Sequence, residues 1–344
     1  MKTVVTGGAG FIGSHLVKRL LDEGREVVIA DDFSRGRAQN LRDLGIRAEL
    51  RPIDLRDYKQ ALEATEGAES VFHLAARVGS VEFLHGTDMA ELLALQTNLV
   101  IDANVFRACL EREVQRLVYA SSVSVYPIDC QQSYDVVLKE DDLRYINPEG
   151  GYGWAKLLGE IQLQWMQRPN IGIARIFNVY GENEQPDKNA HVVEALIRKA
   201  ILHPVEEFRV WGDGEQTRDL LYVADAVEAL LGLEERASYP PAVINIGSGH
   251  ALPVKALVDK IIGISGKSIE PVYDPTRPVG PLSRTADISR AEAILQWEPK
   301  VSLEDGLRQT FRWIARRLGV SAISAGSAEA ESATRAASQD VKRD

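Results

Sequence analysis

The run Thr6-Gly7-Gly8-Ala9-Gly10-Phe11-Ile12-Gly13 limits this chain more than any other stretch, because it joins a β-branched run at residues 3–6 to a helical pattern at 12–23. Glycines spaced G-x-x-G-x-x-G at such a junction have distinct uses. Gly7 allows a tight turn, Gly10 lets the backbone approach a pyrophosphate, and Gly13 permits close helix–strand contact. The helix opening at Phe11 and Ile12 offers unpaired N–H groups to the same anion. An ordinary strand–helix turn can also be glycine-rich, so the motif needs its context. That context comes after the next β run, where Ala30-Asp31-Asp32-Phe33 places a carboxylate. Asp31, with Asp32 beside it, can bind both hydroxyls of a ribose and repel a 2′-phosphate. The expected cofactor is therefore NAD, with NADP kept open by the nearby Arg35 and Arg37. Asp54-Leu55, after a third run, fit either an adenine contact or a helix N-cap.

Short β runs at 26–30, 47–51, 70–74, 116–120 and 171–176 alternate with helical patterns at 92–112 and 152–167. That alternation predicts α/β architecture, a Rossmann-type doubly wound parallel sheet, over residues 1–176. The second half is less regular, with helices expected at 190–202, 223–233, 253–262, 289–295 and 303–318 and a strand at 243–246. A segment of about 215–247 is expected to return to the first domain, and 177–214 with 248–318 to form a smaller C-terminal α/β substrate lobe. From residue 319 to 344 the chain turns to Ser, Ala and charges, a composition that predicts a disordered tail.

Composition removes several functions. A net charge of −10 over 344 residues argues against general nucleic-acid binding, which needs a basic surface. Two cysteines, Cys109 and Cys130, supply neither a disulfide framework nor a four-cysteine metal site. No apolar stretch reads as a leader or a membrane span, so the expected location is cytoplasmic.

Tyr152 and Lys156 lie four residues apart in a helical pattern and so share one face. An ammonium near a phenol favours tyrosinate and should lower its pKa from about 10. Such a tyrosine can exchange a proton with a sugar hydroxyl while a nicotinamide exchanges hydride with the same carbon. Ser121-Ser122, at the end of the 116–120 run, place a hydroxyl that can hydrogen-bond the reacting oxygen. A Y-x-x-x-K pair alone is often only a surface pair; its order after the glycine loop and the serine makes the case.

With these residues in hand, the chain resembles the extended short-chain dehydrogenases that modify nucleotide-sugars, from Lys2 to about Leu318. The resemblance rests on Thr6 to Gly13, Asp31, His73-Leu74-Ala75-Ala76, Asn98, Ser121-Ser122 with Val125-Tyr126, and Tyr152 with Lys156. It continues through Arg175-Ile-Phe-Asn178-Val-Tyr180-Gly181, Trp211-Gly-Asp-Gly, Arg218-Asp219, Asn245-Ile-Gly-Ser and Trp297-Glu-Pro. It implies Tyr152 as acid/base, Lys156 as its modulator and Ser122 as donor to the sugar oxygen. It also implies Leu74, Ala75, Ala76 and Asn98 near the cofactor, and Asn178, Arg218 and Arg284 at the substrate diphosphate. A homodimer through the 92–112 and 152–167 helices is a further implication.

Tyr126-Pro127 and Asn189-Ala190-His191-Val192-Val193 are similar to the branch that contains GDP-fucose synthase and GDP-mannose 3,5-epimerase. That branch has a proton-shuttling cysteine two residues after the catalytic serine; here Ser124 stands there. Either Ser124 donates a hydrogen bond or His191 acts with water, and His191 equally fits a helix-start residue touching phosphate. The resulting expectation is an NAD-dependent nucleotide-sugar epimerase that regenerates its cofactor each turnover. The alternative is an NADP-dependent epimerase-reductase of a 4-keto-6-deoxy nucleotide-sugar. A non-catalytic relative is disfavoured, because tyrosine and lysine are both kept.

Overall fold

The structure is a computed structural model that describes residues 1–79, 86–143, 146–187 and 190–320. Its centre is a seven-stranded sheet whose order is Ala242–Ile246, Asn170–Ile176, Arg116–Ser122, Ser70–His73, Lys2–Thr6, Glu26–Asp31, Glu49–Pro52. All neighbouring pairs are parallel. Apart from the edge strand Glu49–Pro52, which is polar and largely exposed, the strands are mostly apolar because helices cover both faces. Alternate residues sort between two cores. Val5, Ile29, Phe72 and Val118 face a core with Leu16, Leu20, Leu230 and Leu233. Val4, Val28, Val71, Leu117 and Tyr119 face another with Val105, Phe106, Cys109 and Leu163. Burial pushes the Cys109 thiol up to about 12, which leaves it inert at neutral pH.

Strand order reverses between Lys2–Thr6 and Ser70–His73, and ligands of such sheets bind outside the strand ends at that switch. The helix Phe11–Asp22 follows the first strand. The helix Asp88–Glu111 is capped by Thr87, whose hydroxyl accepts the Ala90 N–H at 3.1 Å, and carries Asp88 and Glu91 in its first turn. It packs against Gly150–Trp165. The Arg116–Ser122 strand runs two residues past its expected end, so Ser121 and Ser122 belong to the sheet.

The smaller lobe holds a three-stranded sheet of Asn178–Tyr180, Thr217–Tyr222 and Ala251–Pro253, and the strand pair Arg209–Trp211 with Val272–Asp274. Around them pack the helices Val192–Leu202, Val254–Ser265 and Leu303–Arg317. Within the segment expected to return to the first domain, Ala242–Ile246 joins the large sheet, whereas Thr217–Tyr222 pairs with Asn178–Tyr180. Gly319 and Val320 still belong to the folded chain: the Val320 N–H donates to the Ala315 carbonyl at 2.9 Å. The rest of the tail expectation, and Asn189, lie outside the described residues.

Candidate active site

A cavity of about 920 Å³ opens at the strand ends and reaches from the glycine loop to the smaller lobe. Gly7 has φ +69°, and a Cβ there would sit 2.9 Å from the Ala75 nitrogen. A Cβ on Gly13 would lie 2.1 Å from the Gly7 carbonyl oxygen, so the close approach this glycine permits is to the loop itself. The first helical bond runs from the Ser14 N–H to the Gly10 carbonyl at 3.1 Å. The N–H groups of Phe11, Ile12 and Gly13 therefore have no partner within the helix and suit an anion.

Asp31 is buried, and its carboxylate accepts the Ala9 N–H at 2.9 Å and the Phe33 N–H at 2.8 Å. Burial raises its pKa, against the pull of those two donors. Gly36 presses on it so closely that a Cβ would lie 2.5 Å from the carboxylate. Asp31 thus braces the loop and lines the cavity together. Asp32 is exposed and accepts from the Ser34 N–H and hydroxyl at 2.9 and 2.6 Å. Of the two roles open to Asp54, the helix cap belongs to Asp57, whose side chain accepts the Lys59 N–H at 2.8 Å. Asp54 instead binds Arg56, whose hydrogen bonds lower its pKa, and lines the cavity with Leu55.

Leu74, Ala75 and Ala76 line the cavity, and the Leu74 and Ala75 N–H groups both donate to the Thr6 hydroxyl at 3.2 Å. That fixes a tautomer. With two donors on its oxygen, Thr6 gives its own proton to His73 Nδ1 at 2.7 Å, so His73 carries hydrogen on Nε2 and donates to Asp102 Oδ1 at 3.0 Å. Tyr119 donates to the other oxygen of Asp102 at 2.6 Å. Burial lowers the His73 pKa, which keeps the ring neutral. Asn98 does not line the cavity: its amide ties the Arg77 backbone, accepting the N–H at 2.7 Å and donating to the carbonyl at 3.1 Å.

Farther along the cavity, Ser122 accepts the Ser124 N–H at 3.1 Å and lies close enough to the Tyr152 phenol to draw its pKa down. Tyr152 and Lys156 are both buried. The expected lowering of the phenol pKa is not what this geometry produces. Burial pushes Tyr152 up, Ser122 only partly offsets it, and the Lys156 ammonium lies 6.0 Å from its ring but 4.6 Å from that of Tyr119. Burial in turn pushes Lys156 down, against the carboxylates of Asp102 and Glu160. Glycines let the helix seat this deeply: a Cβ on Gly151 would lie 2.1 Å from the Glu91 carbonyl oxygen, and one on Gly153 would lie 2.3 Å from that of Ser124.

Toward the smaller lobe, Ser124 donates to Glu149 Oε2 at 3.0 Å, and the Arg284 guanidinium grips the same oxygen. Arg218 donates to the carbonyls of Thr217, Pro281 and Val279 at 2.7, 2.9 and 2.5 Å. Burial, reinforced by Arg284, pushes its pKa down to about 10. Among the described residues the buried Asn178 Oδ1 has no hydrogen-bond partner. His191 precedes the Val192–Leu202 helix with Nδ1 3.1 Å from Glu184. Burial works to lower the imidazole, and the Glu184 carboxylate more than offsets it, leaving the pKa raised. Glu194, fully buried, accepts the Gly181 N–H at 3.2 Å and is pushed up to about 8 by burial and by Glu184.

Every candidate residue except Asn98 lines this one cavity. Sequence reasoning missed Glu149, which also lines it, and Asp102 behind it. Tyr126, Arg175 and Asn245 are structural: Arg175 chelates Glu160, and Tyr126 donates to Asn245 at 2.6 Å.

Fold and site together define a dinucleotide-binding α/β enzyme with a serine, a tyrosine and a lysine at the strand ends. The chain belongs to the NAD dependent epimerase/dehydratase family, whose description matches residues 3–247, and NAD is its cofactor. It is 30% identical over 322 residues to GDP-mannose 3,5-epimerase 1 of Oryza sativa subsp. japonica, covering 92% of this chain and 82% of that one. The UDP-glucose 4-epimerase of Thermotoga maritima, solved with UDP-glucose, superposes with a TM-score of 0.82 at 30% identity, covering 92% of this chain and all of that one. MoeE5, solved with UDP-glucuronic acid and NAD, gives 0.77 at 31% identity, covering 92% of this chain and 100% of that one. Among the described residues no helix is long and apolar enough to cross a membrane.

Proposed function

We propose that this protein epimerises a nucleoside-diphosphate sugar, oxidising it transiently to a keto-sugar and reducing it again with the same cofactor. The observation that carries the reading is the convergence of Ser122, Tyr152 and buried Lys156 on the cavity that the glycine loop also lines. In this reading Gly7, Gly10, Phe11, Ile12, Gly13, Asp31, Asp32 and the 74–76 loop hold the cofactor, with Asp54 and Leu55 at its adenine. Bound NAD supplies a hydride acceptor for oxidation and a donor for the return. Tyr152 removes the proton of the sugar hydroxyl and later restores it, while Ser122 hydrogen-bonds the same oxygen. The charge of Lys156 favours the phenolate that burial disfavours. Arg218, Arg284 and Asn178 face the diphosphate, and the orphaned Asn178 oxygen suits a donor from the substrate. His191, held by Glu184, lines the same cavity and contacts the substrate in this reading. Ser124, bonded to a carboxylate, serves as a donor rather than as a replacement for a thiol.

Incubating the protein with UDP-glucose, UDP-galactose, UDP-N-acetylglucosamine and GDP-mannose, and following diastereomers by NMR, tests the reading. A new diastereomer is expected, and Tyr152→Phe should abolish it with NAD still bound. Inactivity on every sugar, or an unchanged rate in the variant, refutes it. Stoichiometric oxidation of NADPH by a 4-keto-6-deoxy nucleotide-sugar would instead favour the reductase.

We also propose a homodimer. Met89, Leu92, Leu93 and Val100 on one of the two packed helices, and Trp154 and Trp165 on the other, are exposed, Trp165 by 78%. Apolar surface of this kind is ordinarily covered, and a second copy would bury it symmetrically. Sedimentation at twice the chain mass checks this.

A further inference from the structure

Glu149 belongs to no motif used above, yet it places a carboxylate in the same part of the cavity as Ser122, Ser124 and Tyr152. The main chain fixes it on both sides. Its N–H donates to the Ser124 carbonyl and its carbonyl accepts the Gly153 N–H, each at 2.9 Å. Its side chain is 10% exposed. Oε2 takes the Ser124 hydroxyl at 3.0 Å and the Arg284 guanidinium, whose Nε donates to Gln131 at 2.8 Å. Arg284 thus spends Nε and Nη2 on protein groups, and Arg218 spends Nη1 and Nη2 on three main-chain carbonyls.

We infer that Glu149 selects nucleotide-sugars whose group beside the reacting carbon is a hydroxyl, amide or amine, and excludes the corresponding hexuronates. The inference rests on the nucleotide-sugar reading proposed above. A carboxylate on the sugar would enter a desolvated space next to Glu149, where two like charges cannot both stay ionised cheaply. The donors that Arg284 and Arg218 do not spend on protein groups face the diphosphate in that reading, so pairing with the sugar carboxylate would take them from it or from Glu149. A hydroxymethyl or amide N–H meets no such obstacle, because a carboxylate accepts up to about four hydrogen bonds and Glu149 can add one from the sugar. Selection of this kind works by repulsion of the wrong ligand as much as by attraction of the right one. The fold does not decide the matter, since MoeE5, with the same architecture, was solved with UDP-glucuronic acid.

Calorimetric titration of the NAD-loaded protein with two matched pairs, UDP-glucose with UDP-glucuronate and GDP-mannose with GDP-mannuronate, tests the inference. In whichever nucleotide binds, the uronate should bind at least about tenfold more weakly. Glu149→Gln keeps an acceptor for Ser124 and Arg284 but removes the charge, and should narrow that ratio chiefly by tightening the uronate. A uronate that binds as well as its hexose overturns this inference alone, as does an unmoved ratio in a variant that still binds NAD. If the variant fails to fold, the wild-type ratio decides. Binding of neither pair overturns the nucleotide-sugar reading as well.

Discussion

Asp102→Asn exchanges a buried carboxylate for its isosteric amide at the hub of the chain from Thr6 through His73 to Tyr119. In the native protein two donors converge on it, His73 Nε2–H at 3.0 Å and the Tyr119 hydroxyl at 2.6 Å. The amide has a single acceptor oxygen, so one donor must give way. If the oxygen stays with His73, the Tyr119 hydroxyl has to turn and accept. If it goes to Tyr119, His73 must change tautomer and lose the Thr6 proton that lets Thr6 hold the Leu74 and Ala75 N–H groups. Either outcome loses one charge-assisted hydrogen bond, worth about 1.5–3 kcal/mol. It also removes a negative charge that supports the buried Lys156 ammonium, which would then titrate still lower. We expect destabilisation of about 2–4 kcal/mol in urea unfolding at pH 7. We also expect an alkaline limb of the kcat/KM profile displaced to lower pH, because the charge on Lys156 is lost earlier. A variant within about 0.5 kcal/mol of wild type, a change ordinary for surface sites, with an unmoved alkaline limb refutes the argument.

Two further predictions concern other parts of the site. Glu194 titrates near 8 in the folded protein, against an ordinary value of 4.5. The folded state therefore keeps a proton that the unfolded chain releases, and stability falls as pH rises across that window. Glu194→Gln should unfold at a higher temperature than wild type at pH 9, the gap closing toward pH 5; an equal gap at both refutes the assignment. Gly13→Ala drives a methyl into the Gly7 carbonyl oxygen, since a Cβ would lie 2.1 Å away. NAD affinity should fall at least about tenfold because the loop must shift from its anion-binding form; unchanged affinity by fluorescence titration rules this out.

The inner strands of the sheet were readable because they are apolar runs bounded by turns, as in Val27-Val28-Ile29 and Leu117-Val118-Tyr119, whereas the polar edge strand Glu49–Pro52 lies two residues beyond the start expected at residue 47. The Tyr152–Lys156 pair was readable because helical periodicity converts spacing into a shared face. Glu149 and Asp102 were not, because their partners are distant in sequence: Arg284 lies 135 residues from Glu149, and His73 lies 29 from Asp102. A buried acid looks like any surface acid until its partners are known. Asn98 was recognised, but its backbone partner at Arg77 was not, and that partner puts it behind the cofactor loop. The three-residue strands Arg209–Trp211 and Val272–Asp274 are too short to show a period and exist only as each other's partner.

The helix that bears Tyr152 and Lys156 also carries Gly150, Gly151, Gly153 and Gly159. Each glycine costs a helix about 0.8–1.0 kcal/mol relative to alanine. Left to itself this segment would be largely unwound; the walls it touches impose its shape. Alignment of the Tyr152 phenol is consequently borrowed from its surroundings, and under the proposed reading mild denaturant that loosens those surroundings should silence turnover while the great sheet still stands.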